Sequence, residues 1–109
     1  MLIDMVEVGT ARVVRPHGRI DSGTSPALED AIKAKGSALL LLDLSDVSYV
    51  SSAGLRVVLI GAKAARAAGG GFAVFGVTPS VRTVFKVSGF DRIVTIVDTE
   101  AEALAAVGA

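Results

Sequence analysis

Ala38-Leu39-Leu40-Leu41-Leu42, followed at once by Asp43-Leu44-Ser45-Asp46-Val47-Ser48, decides the fold. An apolar run this short between Gly36 and a polar loop leaves no room for a helix. Its lack of alternation suits a central strand covered on both faces. Such strands belong to parallel sheets with helices above and below. The flanking sequence reads accordingly. Upstream, Leu2 to Val8 (LIDMVEV) alternates like a half-buried strand, Gly9-Thr10 makes a hairpin turn, and Ala11 to Arg15 forms a second strand. Pro16-His17-Gly18 breaks it. In the turn cluster Asp21-Ser22-Gly23-Thr24-Ser25-Pro26, Ser25 fits an N-cap with Pro26 at the first helical position. Ala27, Leu28, Ala31 and Ile32 recur at helical spacing, with Glu29, Asp30 and Lys33 on the other side, and Gly36 is the expected stop.

Downstream, Asp43 to Ser48 reads as a loop and Tyr49-Val50 as a brief return to extended chain. A second helix starts at Ser51, placing Leu55, Val58, Leu59, Ala62 and Ala65 on one face, and Gly69-Gly70-Gly71 ends it. Phe72 to Phe75 is a strand. Thr78-Pro79 opens a third helix that Gly89 caps, Ile93 to Val97 is the last strand, and Thr99 to Val107 the last helix. Strands alternating with helices give an α/β domain: a mixed, mostly parallel sheet of about five strands with about four helices, joined by right-handed crossovers. The chain reads as one domain over residues 1–109, with no linker or internal repeat.

Composition removes several kinds of function. The 109 residues are 51% hydrophobic, and eleven Lys plus Arg balance eleven Asp plus Glu. A formal charge of zero gives no generic attraction to nucleic acid or anionic membrane. No cysteine means no disulfide, thiol nucleophile or cysteine metal site, and one histidine excludes a His-rich centre. Met1-Leu2-Ile3-Asp4-Met5 has no basic leader, and no apolar run approaches the roughly 18 residues that span a bilayer. A soluble chain without membrane insertion is expected.

The candidate chemical groups are few. Gly69 to Gly71 lacks the Gly-Lys-Ser/Thr ending of a phosphate loop and follows a helix, so it reads as a helix stop and a tight turn. His17 has no carboxylate or serine at a telling spacing and is given no role. Asp43 and Asp46 read as solvated turn formers. Ser51 and Ser52, in Tyr49-Val50-Ser51-Ser52-Ala53-Gly54-Leu55, sit where loop becomes helix. There a serine hydroxyl caps orphan amides, and a phosphate would meet free N–H groups and the positive end of the helix dipole. No histidine is placed to activate either serine as a nucleophile, and the flanks are not Gly-x-Ser-x-Gly. An enzyme is not expected, and no cofactor is called for.

Four stretches in order resemble the STAS domain family, specifically the single-domain anti-sigma factor antagonists of bacteria. Gly18-Arg19-Ile20-Asp21 with Thr24 is similar to the family's turn before the first helix. Leu41 to Val50 resembles the strand and loop that lead to its switch. Ser51-Ser52-Ala53-Gly54-Leu55 resembles the switch motif, usually Asp-Ser-Ser/Thr-Gly-Leu, and Val81 to Phe90 the third-helix segment ending in Ser88-Gly89. The resemblance implies a cytoplasmic partner-switching protein without catalysis of its own. Its unphosphorylated form would bind an anti-sigma factor that is also a serine kinase, of the histidine-kinase-like ATPase type. Phosphorylation would end binding, and a metal-dependent serine phosphatase would restore it. By position the acceptor is Ser52, with Ser51 the alternative. Ser51 stands in place of the usual Asp and Ala53 in place of the second hydroxyl. Asp21, Thr24, Ser51, Ser52, Gly54, Leu55 and Arg56 are the expected partner-contact residues, Gly54 by permitting close backbone approach. STAS domains also serve transporters by binding an ATPase without phosphorylation, which is the alternative function.

Overall fold

The elements run, in chain order, β1 (Ile3–Val8), β2 (Ala11–Pro16), β3 (Gly18–Ile20), α1 (Ser25–Lys33), β4 (Leu39–Asp43), β5 (Val47–Val50), α2 (Ser52–Ala67), β6 (Gly71–Phe75), α3 (Pro79–Ser88), β7 (Thr95–Val97) and α4 (Glu100–Ala106). A single 3-10 turn at Phe90–Arg92 precedes β7. The computed structural model describes residues 1–34 and 38–109. The stop expected at Gly36 lies outside the described residues. Strands are ordered β1-β2-β4-β6-β7, with β1 antiparallel to β2 and every later pair parallel. The leucine run is thus the central strand of a mixed, mostly parallel sheet.

Its alternation serves two cores. Leu40 and Leu42 face α1, α2 and α3 and pack with Leu28, Val58 and Phe85. Leu41 faces the other way, packing with Val13, Ala73 and Ala103 beneath α4. Leu40, Leu41 and Leu42 are all buried, and each such side chain contributes about 1.5–3 kcal/mol. Gly69 and Gly70 make the turn after α2, as their position after a helix implied, and Gly71 opens β6. A Cβ at Gly70 would overlap the carbonyl of Ala38, so the chain passes β4 here only as bare backbone.

The structure corrects the sequence reading in four places. Pro16-His17-Gly18 ends a direction rather than the extended chain. Gly18, at φ +98, opens β3, which pairs in parallel with β5 as a two-stranded ribbon outside the main sheet. One sheet was expected, and there are two. Ser25 does not cap α1: it is its first residue and is buried. Thr24 precedes it in helical conformation, and its hydroxyl instead donates to the Arg19 carbonyl (2.8 Å). The last strand starts at Thr95, because the turn at Phe90–Arg92 occupies the residues before it.

The fourth correction concerns charge. Asp43 is not a solvated turn former: it is 4% exposed, and its carboxylate accepts from Arg15 Nε at 2.6 Å and from the Ser45 amide at 2.9 Å. Burial pushes its pKa up, but the Arg15 hydrogen bond and the Ser45 contacts outweigh that and hold it below 3.8. His17 has two carboxylates after all. Its Nδ1 lies 2.6 Å from Asp46 and its Nε2 2.8 Å from Asp4, contacts made between segments remote in sequence. Both contacts, Asp46 first, raise its pKa above 6.5. The sign follows: stabilisation by the charged ring is complete below about pH 6.5 and is lost as pH rises through the raised value. Between pH 6 and 8 the melting temperature is expected to fall in the native chain and to stay nearly level in His17→Gln. Parallel curves for the two would remove His17 as the cause.

Candidate functional site

The ribbon carries the start of α2. The Ser51 amide donates to the Ile20 carbonyl at the end of β3 (2.8 Å), so the turn after β3 and the first turn of α2 are neighbours. This brings together the stretches around Asp21 and Ser51 that sequence alone set thirty residues apart. Asp21 shapes its own turn: Oδ1 accepts from the amides of Gly23 (3.0 Å) and Thr24 (3.1 Å). Its carbonyl accepts from the Ser25 amide at 2.8 Å, which satisfies the first amide of α1 from the turn's own backbone. Chiefly the Thr24 amide, against a smaller effect of desolvation, lowers the Asp21 pKa.

The two serines have different situations. Ser51 is the N-cap of α2, in extended conformation, and its hydroxyl oxygen accepts from the Gly54 amide at 3.3 Å. Its carbonyl accepts from Leu55 at 2.9 Å, the first bond of the helix. Ser52 is the first helical residue, exposed, and its hydroxyl makes no hydrogen bond among the described residues. Arg56, one turn further, is exposed on the same face.

Gly54 and Leu55 lie inside the fold. Gly54 is buried, and a Cβ there would stand 2.7 Å from Ile20 Cγ2 and 2.9 Å from Val50 Cγ1. The close approach that glycine permits is made to the chain's own ribbon. Leu55 belongs to the larger core. The outward surface at this helix start is therefore Ser52, Ala53 and Arg56, with the Asp21 turn beside it.

Sequence reasoning missed a groove of about 320 Å³ between α1 and α2, lined by Ser22, Ser25, Pro26, Glu29, Asp30, Ala53, Arg56 and Val57. Glu29 and Asp30 were legible only as the polar side of α1, because nothing in the spacing tells which neighbour that side meets. Glu29 accepts from Lys33 at 2.8 Å. It also missed the Arg19 guanidinium stacked 4.2 Å above the Tyr49 ring, which joins the two ribbon strands on their exposed side.

A mixed sheet with a side ribbon that presents a capped, hydroxyl-bearing helix start defines a domain with one distinctive surface at that helix. The chain belongs to the STAS domain family, whose model matches residues 3–103. It is 35% identical to the Bordetella bronchiseptica protein BtrV, which carries an anti-sigma factor antagonist name, over 97% of this chain and 94% of that protein. An anti-sigma factor antagonist from Mycobacterium paratuberculosis, solved by crystallography, is 30% identical with a TM-score of 0.84, covering 99% of this chain and 94% of that one. The Bacillus cell fate determinant SpoIIAA, solved in its phosphorylated form, shares the fold at 21% identity and a TM-score of 0.72, covering 95% and 97%. Within the family the chain falls among the anti-sigma factor antagonists. No helix among the described residues is long and apolar enough to cross a membrane.

Proposed function

We propose that this protein is a cytoplasmic antagonist that binds an anti-sigma factor when unphosphorylated and releases it when Ser52 is phosphorylated. The observation that carries the reading is the division of labour at the start of α2. Ser51 is occupied as the cap, whereas Ser52 is exposed with its hydroxyl unengaged among the described residues. A phosphate on Ser52 adds a charge of about −1.5 to −2 at a helix N-terminus, which the helix dipole accommodates. The fold therefore survives the modification. A docked partner does not tolerate it, because taking so large a charge out of water into an interface costs more than a single counter-charge returns. The reading is supported by SpoIIAA, a protein of this fold that has been solved in a phosphorylated form.

The partner in this reading is an anti-sigma factor that is also a serine kinase of the histidine-kinase-like ATPase type, and a metal-dependent serine phosphatase resets the switch. Partner contact falls to Asp21, Thr24, Ser51, Ser52 and Arg56 at the surface. Gly54 and Leu55 act from within, by setting the angle of α2. The test is incubation with ATP and the cognate kinase, followed by mass-spectrometric mapping and by capture of the kinase on immobilised protein. Label is expected on Ser52, to be absent in Ser52→Ala and retained in Ser51→Ala. Capture should be strong for the native chain and lost for Ser52→Asp. Label that persists in Ser52→Ala and vanishes in Ser51→Ala would overturn the assignment.

A further inference from the structure

We infer that Arg56 is the residue that holds the phosphate once Ser52 is phosphorylated, turning to it from the groove between α1 and α2. The inference rests on Ser52 being the acceptor, and it goes further by assigning an intramolecular counter-charge. Residues four apart on a helix share a face, with Cβ atoms about 5–6 Å apart, and both Ser52 and Arg56 are exposed. An anion N-terminal to a cation is the favourable order for such a pair. Arg56 makes no ion pair within 4.0 Å among the described residues, so nothing has to be broken for it to move.

The charges around Arg56 decide which partner it takes. Across the groove, α1 offers Glu29 and Asp30. Glu29 is held by Lys33, whose hydrogen bond is the main cause of its lowered pKa, with Arg56 adding a weaker pull from a distance. Losing Arg56 leaves Glu29 still paired at 2.8 Å. The Asp21 carboxylate accepts from backbone amides in its own turn and makes no ion pair among the described residues. A phosphate of nearly two charges, on Arg56's own helix one turn away and with three acceptor oxygens, outcompetes the single charges of Glu29, already paired with Lys33, and of Asp30, across the groove. A guanidinium meets two of those oxygens at once, which an ammonium cannot do.

The consequence is a folded-back phosphate. Arg56 draws it along α2 over Ala53, at the mouth of the groove, so that the modified residue blocks that surface as well as charging it. The unmodified chain leaves the same groove open with Arg56 on its wall.

The test uses the full chain with phosphoserine installed at position 52 during translation, without a kinase, and follows the second ionisation of the phosphate by phosphorus NMR. The midpoint is expected to rise by about 0.5 pH unit in Arg56→Ala, roughly a three-fold change in proton affinity, with Arg56→Lys between the two. Coincident titrations of the parent and Arg56→Ala would overturn the inference. Because the phosphate is installed directly, this outcome is separate from the functional reading. Failure of the kinase to label Ser52 strikes that reading, whereas coincident titrations strike Arg56 alone.

Discussion

Gly54→Val is expected to lower the unfolding free energy by about 3 kcal/mol and to abolish partner capture, although Gly54 itself is buried. In an exposed helix, replacing glycine by a residue with a side chain stabilises by up to about 1 kcal/mol. Here the sign reverses. The first added carbon already meets Ile20 Cγ2 at 2.7 Å, Val50 Cγ1 at 2.9 Å and the Ile20 carbonyl oxygen at 3.1 Å. The side chains could turn away, but that oxygen is fixed as the acceptor of the Ser51 amide, and moving it breaks the tie between ribbon and helix. Valine adds two methyl groups beyond that carbon. Circular dichroism of urea unfolding at pH 7 would measure the loss, and for a domain near 100 residues a fall in Tm of roughly 12–20 °C should accompany it. A Gly54→Val protein as stable as its parent would mean that α2 does not sit against the ribbon as described.

Asp43→Ala is the second large effect, expected to cost about 2–4 kcal/mol at neutral pH. Removing one member of a buried ion pair leaves the other without its counter-charge and the Ser45 amide without its acceptor. The cost falls short of that for a wholly enclosed pair, because the Arg15 side chain is 34% exposed and has Glu100 at 3.9 Å as a weaker partner. The pH dependence separates this cause from simple loss of packing. A carboxylate with a lowered folded pKa stabilises fully above its unfolded value of 3.8, and the contribution disappears as pH falls through the folded value. The gap between native and Asp43→Ala stability should therefore be full at pH 7 and shrink on acidification below about pH 4. A gap that stays constant down to pH 2.5 would show that the ion pair carries none of it.

These residues also mark how far the sequence could be read. The leucine run could be placed because a strand buried on both faces has a composition that no exposed element shares. The helix boundaries at Thr78-Pro79 and Gly89 follow from local backbone preferences that tertiary structure left alone. That a serine caps α2 was legible for the same reason, but which of Ser51 and Ser52 does so was not. β3 was hidden because three residues are too few for a period, and a proline-glycine break marks a change of direction as readily as an end. The pairing of His17 with Asp4 and Asp46, and of Arg15 with Asp43, joins residues 13 to 29 positions apart. The antiparallel register of β1 on β2 brings Asp4 to His17, and the parallel registers of β2 on β4 and β3 on β5 bring the other two pairs together. At the candidate site, sequence gave the exposed serine through a motif. The opposite wall of the groove, on α1, depends on how two helices pack and has no signature in either one.

The outer strand β1 has a further consequence, for self-association. Its free edge exposes Met5 and Val6, each about half accessible, between Asp4 and Glu7. An unpaired edge invites a second copy to extend the sheet antiparallel. Matching faces then require the positions placed opposite one another to sum to an even number, because side chains alternate. Centring on Met5 sets Asp4 against Val6 and Ile3 against Glu7. Centring on Val6 sets Asp4 against Val8 and Met5 against Glu7. In both registers a carboxylate held by His17 or Arg12 loses water to face an aliphatic neighbour. Two acids spaced three apart thus act as gatekeepers against fibril-like stacking, without shortening the strand or covering it.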